Sequence, residues 1–175
     1  MRRFFLVFCL ILNITAFAQK GYEMDFTQTR VMKVSGKTVE KAGHLVFDGV
    51  DHLSMIYSEP EGDFFIIEGN IVKINMDGKN VEYDAEKAKA IALQRATLLN
   101  CLSGNWQQAA ADNNAELTIT EEDGLRTVLI DAKRQQKTPK GGYVAVILTY
   151  NADDDSLLEM ILEQKNGVIN TYELK

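Results

Sequence analysis

Residues 64–83 have the sequence FFIIEGNIVKINMDGKNVEY, in which short apolar segments alternate with tight turn signals. Glu68-Gly69-Asn70 separates the first two segments, and Asp77-Gly78 separates the last two. An Asp-Gly pair favours the two-residue turn that joins neighbouring antiparallel strands. The first segment is apolar at every position, as expected of a strand that is covered on both faces. This part of the chain therefore predicts three consecutive antiparallel strands.

The same pattern extends in both directions along the chain. Towards the N-terminus, residues 22–34, 39–47 and 53–57 alternate apolar and polar side chains. Towards the C-terminus, we expect strands at residues 116–120, 125–132, 143–150, 157–164 and 168–174, separated by turns. Short strands with closely spaced turns are typical of an antiparallel meander in a barrel or sandwich, here of about ten or eleven strands.

One segment in the middle of the chain has a helical composition. Residues 85–102 are rich in Ala, Glu, Lys, Gln and Leu, which are favourable in helices. Asp84 is a good N-cap residue and Gly104 a good C-terminal stop, while Asn105 is expected to cap a short second helix at 106–111. The predicted fold class is therefore α+β, mainly β, with a mid-chain helical cover or plug.

A meander of this length curls as it twists, and its concave face must be filled. If the helices lie across the opening, an apolar cavity remains beneath them; if they enter it, the face becomes an ordinary core. Aromatic and methionine side chains at period two suit either arrangement. The candidate lining residues for a lipid cavity are Phe26, Leu45, Phe47, Met55, Tyr57, Phe64, Ile91, Leu98, Leu102 and Met160.

The N-terminus has the features of a secretory signal peptide. Arg2 and Arg3 precede an apolar run at residues 4–12, and Ala16-Phe17-Ala18 matches an A-x-A cleavage signal. We therefore expect residues 1–18 to be removed and residues 19–175 to form a single exported domain. Lipidation at Cys9 is disfavoured because the preceding residue is Phe8 rather than a small residue.

Charge and hydropathy exclude several classes of partner. Removal of the signal peptide leaves 17 basic residues against 25 acidic ones, a formal charge of −8. An acidic protein is poorly suited to nucleic acid or to anionic headgroups at a membrane surface. No later segment is long and apolar enough to cross a bilayer, so a protein that does not span the membrane is expected.

Few residues suggest catalysis or metal binding. Cys101 is the one cysteine after cleavage, which excludes an internal disulfide and predicts a buried thiol. His44 and His52 are expected to approach each other as a surface pair across a turn, and Asp153-Asp154-Asp155 to form a solvated turn. No catalytic, cofactor-binding or metal-binding residue is assigned. A secreted enzyme that uses His44 or His52 remains an alternative.

The order of several short motifs resembles the LolA family of periplasmic lipoprotein carriers. Phe26-Thr27-Gln28 resembles the F-x-Q of the first long strand, and residues 43–47 resemble the G-x-L-x-F strand that follows. Residues 53–60 and 68–74 resemble the next two motifs, and Ser103, Trp106 and Gln107 resemble an S-x-x-W-Q step after the helical region. The chain resembles a shortened relative, because only residues 19–25 precede the F-x-Q motif.

The resemblance implies a half-open antiparallel barrel with a helical lid. It implies a monomeric periplasmic carrier, not an enzyme and without a cofactor, that shelters the acyl chains of lipoproteins or another lipid in a hydrophobic cavity. Its partners would be an inner-membrane donor and an outer-membrane acceptor. A lipid-binding sensor module of the same fold that reports to an envelope partner is the alternative function.

Overall fold

The computed structural model describes residues 21–132 and 142–175. The expected signal peptide, Cys9 and part of the expected turn at residues 138–142 lie outside these ranges. The strands are β1 (Tyr22–Met32), β2 (Lys37–Phe47), β3 (His52–Glu59), β4 (Phe64–Glu68), β5 (Ile71–Met76), β6 (Lys79–Asp84), β7 (Glu116–Glu122), β8 (Leu125–Asp131), β9 (Tyr143–Asn151), β10 (Leu157–Gln164) and β11 (Val168–Leu174). The helices α1 (Lys89–Leu102) and α2 (Trp106–Asp112) lie between β6 and β7.

All the strands belong to one antiparallel sheet with the order β6-β5-β4-β3-β2-β1-β11-β10-β9-β8-β7. Each strand pairs with the next one in the chain except at β6 and β7, and the first and last strands join the two halves of the meander from Phe26↔Leu174 to Met32↔Val168. The sheet is not closed, because β6 and β7 are its two edges. The predicted α+β fold, a half-open barrel of eleven strands with a helical lid, is therefore confirmed.

The inner face of the sheet is set by the alternation of side chains along each strand. Phe26, Leu45 and Met55 lie on this face, and all three are buried. Phe26 is paired with Gly43 on β2, where an added Cβ would lie 2.7 Å from Cζ of the Phe26 ring and 2.3 Å from the Ile56 carbonyl oxygen. Gly43 therefore lets the aromatic ring pack directly on the backbone of its neighbour.

Helix α1 begins four residues later than the sequence predicts. Asp84 does not act as its N-cap, because the Asp84 carboxylate accepts the backbone N–H of Glu86 at 3.0 Å within a turn. The Asp84 carbonyl oxygen accepts the N–H groups of Lys87 and Ala88 in the same turn. The helix therefore starts at Lys89 with Ala88 as its N-cap and without a side-chain cap.

The two helices pack together and against the sheet. Leu98, Leu99 and Leu102 of α1 are buried in the same hydrophobic core as the inner face. The Asn113 side-chain amide, just after α2, donates to the Thr97 hydroxyl at 2.7 Å and links the two helices. Within the described ranges, neither helix has the length and apolar character that a membrane span needs.

Candidate functional site

Most of the predicted lining residues meet in one apolar layer between the sheet and the helices. Eight of them are buried in a single core cluster: Phe26, Leu45, Phe47, Met55, Tyr57, Leu98, Leu102 and Met160. Ile91 is partly buried and packs against this cluster. The structure thus brings nine of the ten candidates together, from four strands and one helix.

Phe64 is the exception, and its place is taken by its neighbour Phe65. Phe64 pairs with Ile56, which is 46 % exposed on the outer face of the sheet. Phe65 pairs with Met55 and therefore points to the inner face. Nothing within FFII distinguishes the two, but the alternation of Val72, Ile74 and Met76 across the next hairpin selects Phe65.

The apolar layer is closed in this structure. Leu45, Leu53 and Ile67 are completely buried. The Phe26 ring packs edge-on against Tyr57 at 5.2 Å between ring centroids and against Tyr172 at 5.9 Å. These side chains pack against one another, so a guest molecule has to displace them or the helices to enter the layer.

One part of the inner face keeps its apolar side chains half-exposed. Phe65, Ile74 and Met76 on β4 and β5 are partly buried and pack against the core. We call these three residues the apolar strip. Together with Ile91 on α1 they form the accessible margin of the buried layer.

The beginning of α1 is less firmly held than its end. Every residue from 91 to 96 is half-buried, whereas Thr97, Leu98 and Leu99 are buried. Arg95 is held, because its side-chain Nε–H donates to the Gly69 carbonyl oxygen at the β4–β5 turn. The other side chains of this half of the helix, apolar and polar, are partly exposed to solvent. Such regions of low burial are the ones that open most readily.

The end of α1 is held to the sheet by tyrosine side chains. The Tyr22 hydroxyl donates to the Leu102 carbonyl oxygen at 3.2 Å. The Tyr150 hydroxyl donates to the Cys101 carbonyl oxygen at 3.4 Å and accepts the indole N–H of Trp106 at 3.3 Å. Burial raises the pKa of Tyr22 far above its usual value, so this hydroxyl remains a donor at any physiological pH.

The inner face also carries a group of polar side chains towards the end where β1 and β2 are joined. We call this group the polar cluster, and sequence analysis did not single it out. Its members are Gln28, Arg30, Lys41, Tyr57, Asp63, Asn170 and Tyr172.

Lys41 and Asp63 form a buried ion pair within the polar cluster. Their Nζ and Oδ2 atoms are 2.6 Å apart, and the two side chains are only 8 % and 6 % exposed. The other carboxylate oxygen of Asp63 accepts the backbone N–H of Asp77 at 3.1 Å. The Lys41 Nζ atom also lies 5.5 Å from the centre of the Tyr57 ring, a cation–π contact.

The neutral members of the polar cluster satisfy one another. The Gln28 amide donates to Asn170 Oδ1 at 3.0 Å and to the Tyr172 hydroxyl at 3.2 Å. The Tyr57 hydroxyl donates to Tyr172 as well, and burial raises the pKa of Tyr172 to about 12. These groups therefore form a fixed, uncharged network beside the ion pair.

Arg30 differs in its partners from Lys41, the other cation of the polar cluster. It follows Gln28 on the inner face of β1, and its positive charge acts on both Tyr57 and Tyr172. Its Nε atom is buried and has no hydrogen-bond partner in the described part of the chain. No carboxylate within residues 21–132 and 142–175 forms an ion pair with Arg30.

The two histidines do not approach each other as expected. His44 pairs with Ile56 on β3, four residues from His52, which corresponds to roughly 13 Å along a strand. His44 instead lies between Asp25 and Glu23, with 2.8 Å contacts from Nδ1 and Nε2. Hydrogen bonds to these carboxylates raise its pKa above the usual value. His44 is thus part of an exposed ion-pair network on the outer face.

The remaining candidates occupy structural positions. Cys101 is buried, and burial raises the pKa of its thiol to about 12, so it is not a reactive thiolate. In the Asp153–Asp155 turn, Asp155 forms an ion pair with Arg126. Over the described residues, no group of three side chains could hold a metal ion.

A cleft of about 410 Å³ lies by the β1–β2 pair, and Gln28 and Lys41 of the polar cluster contribute to its lining. Its lining includes Thr27, Thr29, Glu40, Glu59 and Glu173. These side chains are polar or acidic, so the cleft is unsuited to a hydrocarbon chain.

Comparison with known proteins identified similar solved structures only. No family model matches the chain, and no curated protein matches its sequence. A LolA superfamily protein from Nitrosomonas europaea is 9 % identical, with 90 % of this chain and 85 % of that chain covered and a TM-score of 0.40.

Two further structures are similar to a comparable extent. A DUF1329 family protein from Desulfovibrio piger is 9 % identical, with 89 % and 83 % of the two chains covered and a TM-score of 0.41. The lipoprotein LppX from Mycobacterium tuberculosis is 13 % identical, with 87 % and 84 % covered and a TM-score of 0.35. Solved structures to which this chain is similar over most of its length thus include a member of the LolA superfamily.

Proposed function

We propose that this protein is a periplasmic carrier that shelters the acyl chains of lipoproteins, or of another lipid, while they move towards the outer membrane. The observation that supports this most directly is the apolar inner face of an unclosed sheet, covered by a single pair of helices beside the half-exposed apolar strip. A carrier needs apolar area and a movable cover, and it needs no reactive group.

The cover has to move for a guest to enter, because the central layer is closed. We infer that the first half of α1 moves first, since the residues from 91 to 96 are half-buried and not buried. The apolar strip lies on the strands at this margin. An acyl chain would therefore contact Phe65 and Ile74 before it displaced any fully buried side chain.

A dye-binding experiment tests this proposal. N-phenyl-1-naphthylamine is a neutral dye whose fluorescence rises in apolar sites, and we expect it to bind the protein and to be displaced by palmitate. We expect Ile74→Ser to weaken dye binding about tenfold, because it removes several methylene-sized groups from the apolar strip, each worth about 0.8 kcal/mol when buried.

The matched control is Ile66→Ser. Ile66 is also half-buried and pairs with Ser54 and Lys73 on the outer face, one strand away from Ile74. It should lose similar stability without losing dye affinity. Absence of dye binding by the folded wild-type protein, or equal effects of the two substitutions, would contradict the proposal.

Transfer separates a carrier from a sensor module. Protein loaded with a fluorescent acyl lipid should deliver it to acceptor vesicles faster than the lipid leaves donor vesicles unaided. Binding without transfer would favour the sensor function instead.

A further inference from the structure

We propose that Arg30 and the polar cluster form a subsite for an anionic headgroup, a phosphate or a carboxylate, on the amphiphile that the inner face would hold. This inference rests on the proposed lipid-binding function and specifies the chemical class of the lipid.

The polar cluster carries an excess of positive charge. The polar cluster contains two cations, Arg30 and Lys41, but only one buried carboxylate, that of Asp63. Asp77 also lies 3.7 Å from Lys41, but its side chain is 81 % exposed and is therefore well screened by water. Lys41 is thus neutralised by its own partner, and one positive charge, that of Arg30, is left on the inner face.

The hydrogen bonding of the Arg30 guanidinium also favours an anion. The Nε atom of Arg30 is buried, and none of the residues that the structure describes supplies it with an acceptor. A buried donor without an acceptor is destabilising, and so is an uncompensated charge that is partly removed from water. A planar guanidinium presents its N–H groups in a fork that matches the oxygens of a carboxylate or phosphate. An anion at this position would supply the missing acceptor.

The side chains beside Arg30 are compatible with a bound anion. Gln28 is fully engaged with Asn170 and Tyr172, and it holds them at one side of Arg30. Asn170 is the register partner of Arg30 on β11, so the neutral network lies directly beside the guanidinium. The one buried carboxylate of the polar cluster, that of Asp63, is paired with Lys41, so its charge is already compensated.

The polar cluster adjoins the apolar strip. The Met76 sulfur of the apolar strip lies 3.8 Å from Lys41 Nζ. Phe26, at the centre of the buried layer, is four residues from Arg30 on the same face of β1, which is roughly 13 Å along the strand. An amphiphile with its headgroup at Arg30 could therefore place its chain along the strip and towards the helices.

The test compares dodecyl phosphate with dodecanol, which share a chain and differ in the headgroup. Displacement of N-phenyl-1-naphthylamine below the micelle concentration should show that wild-type protein binds dodecyl phosphate at least about tenfold more tightly, a difference of about 1.4 kcal/mol. Arg30→Gln should reduce this preference to less than about threefold and leave dodecanol binding unchanged. Arg30→Lys, which keeps the charge, should retain part of the preference.

The control variant is Lys33→Gln, which removes one positive charge from a side chain that is 54 % exposed and pairs with Glu163. It should keep the full preference. Near-UV circular dichroism verifies that each variant is folded. If Arg30→Gln does not fold, the Arg30→Lys variant still tests the subsite.

The outcomes are distinguishable. Equal binding of dodecyl phosphate and dodecanol by wild-type protein, or a preference that Arg30→Gln leaves intact, would overturn the headgroup subsite while the lipid-binding function stands. Binding of neither compound, and of no dye, would overturn the lipid-binding function itself. If inorganic phosphate bound as tightly as dodecyl phosphate, the dodecyl chain would contribute nothing to binding. The site would then be one for a free anion, and the headgroup inference would also be overturned.

Discussion

At the scale of single residues, the Lys41–Asp63 pair shows how the inner face tolerates charge. Both side chains are nearly excluded from water, and each is the main compensation for the other. Breaking such a pair by removing one partner is costlier than removing both, because a lone buried charge remains. Arg30, on the neighbouring strand, has no partner of this kind among residues 21–132 and 142–175.

Lys41→Met should therefore lower the free energy of unfolding by about 3 kcal/mol, because it leaves the Asp63 carboxylate buried and unpaired. The double variant Lys41→Met with Asp63→Asn should recover at least half of this loss. Urea denaturation of the single and double variants measures the coupling between the two residues. Additive losses in the double variant would show that the pair is not coupled in solution.

The polar cluster could have been anticipated from the alternation of side chains. Tyr22, Met24 and Phe26 are apolar at the inner positions of β1, yet Gln28 and Arg30 continue the same series. Lys41 and Asn170 interrupt the inner positions of β2 and β11 in the same way. Polar residues at core positions are a signal of function or of a buried network, but the partners that distinguish the two become visible only when the strands are in register.

At the scale of elements, α1 is the part that the sequence predicted least well. Its residues favour a helix, but Asp84 is used in a turn and the helix starts only at Lys89. Composition cannot reveal this, because the choice depends on the β6 strand that ends at Asp84. The helix is consequently uncapped at its start and fixed mainly at its end, through Tyr22 and Tyr150.

Tyr22→Phe should release the end of α1 without disturbing the packing of the ring. Loss of the hydrogen bond to the Leu102 carbonyl oxygen should cost about 1 kcal/mol and lower the Tm by roughly 3 °C. It should also increase the rate of dye binding in stopped-flow fluorescence, because the cover opens more often. Tyr83→Phe, at a position that is 36 % exposed, is the control and should change neither quantity. A slower or unchanged rate in Tyr22→Phe would show that this contact does not limit opening.

At the scale of the whole molecule, the antiparallel meander and its approximate number of strands followed from turn signals such as Asp77-Gly78, because short antiparallel connections leave few alternatives. The pairing of β1 with β11 did not follow from them, because it joins strands that are far apart in the chain. The sequence could not decide whether the inner face was filled. That depends on how deeply Leu98 and Leu102 enter the sheet, which is a property of the packed molecule. In the structure, Leu98 and Leu102 lie in the hydrophobic core.

The length of the guest chain should therefore control binding. Moving Leu98, Leu99 and Leu102 out of the core costs roughly 5–9 kcal/mol, at about 1.5–3 kcal/mol for each side chain. Each buried methylene of a guest returns about 0.8 kcal/mol, so an eight-carbon chain barely offsets this cost and a sixteen-carbon chain exceeds it. Dye displacement by fatty acids of eight, twelve and sixteen carbons should show a steep rise in affinity with length. Equal affinities across the series would indicate that guests stay on the surface and leave the helices in place.

The position of the two helices in the chain has a mechanical consequence. They are the covalent link between β6 and β7, the opposite borders of the sheet. Any outward displacement of the helices must pull on both borders at once. The curvature of the whole sheet would then report whether the protein is loaded, and an acceptor could distinguish full from empty molecules without touching the cargo.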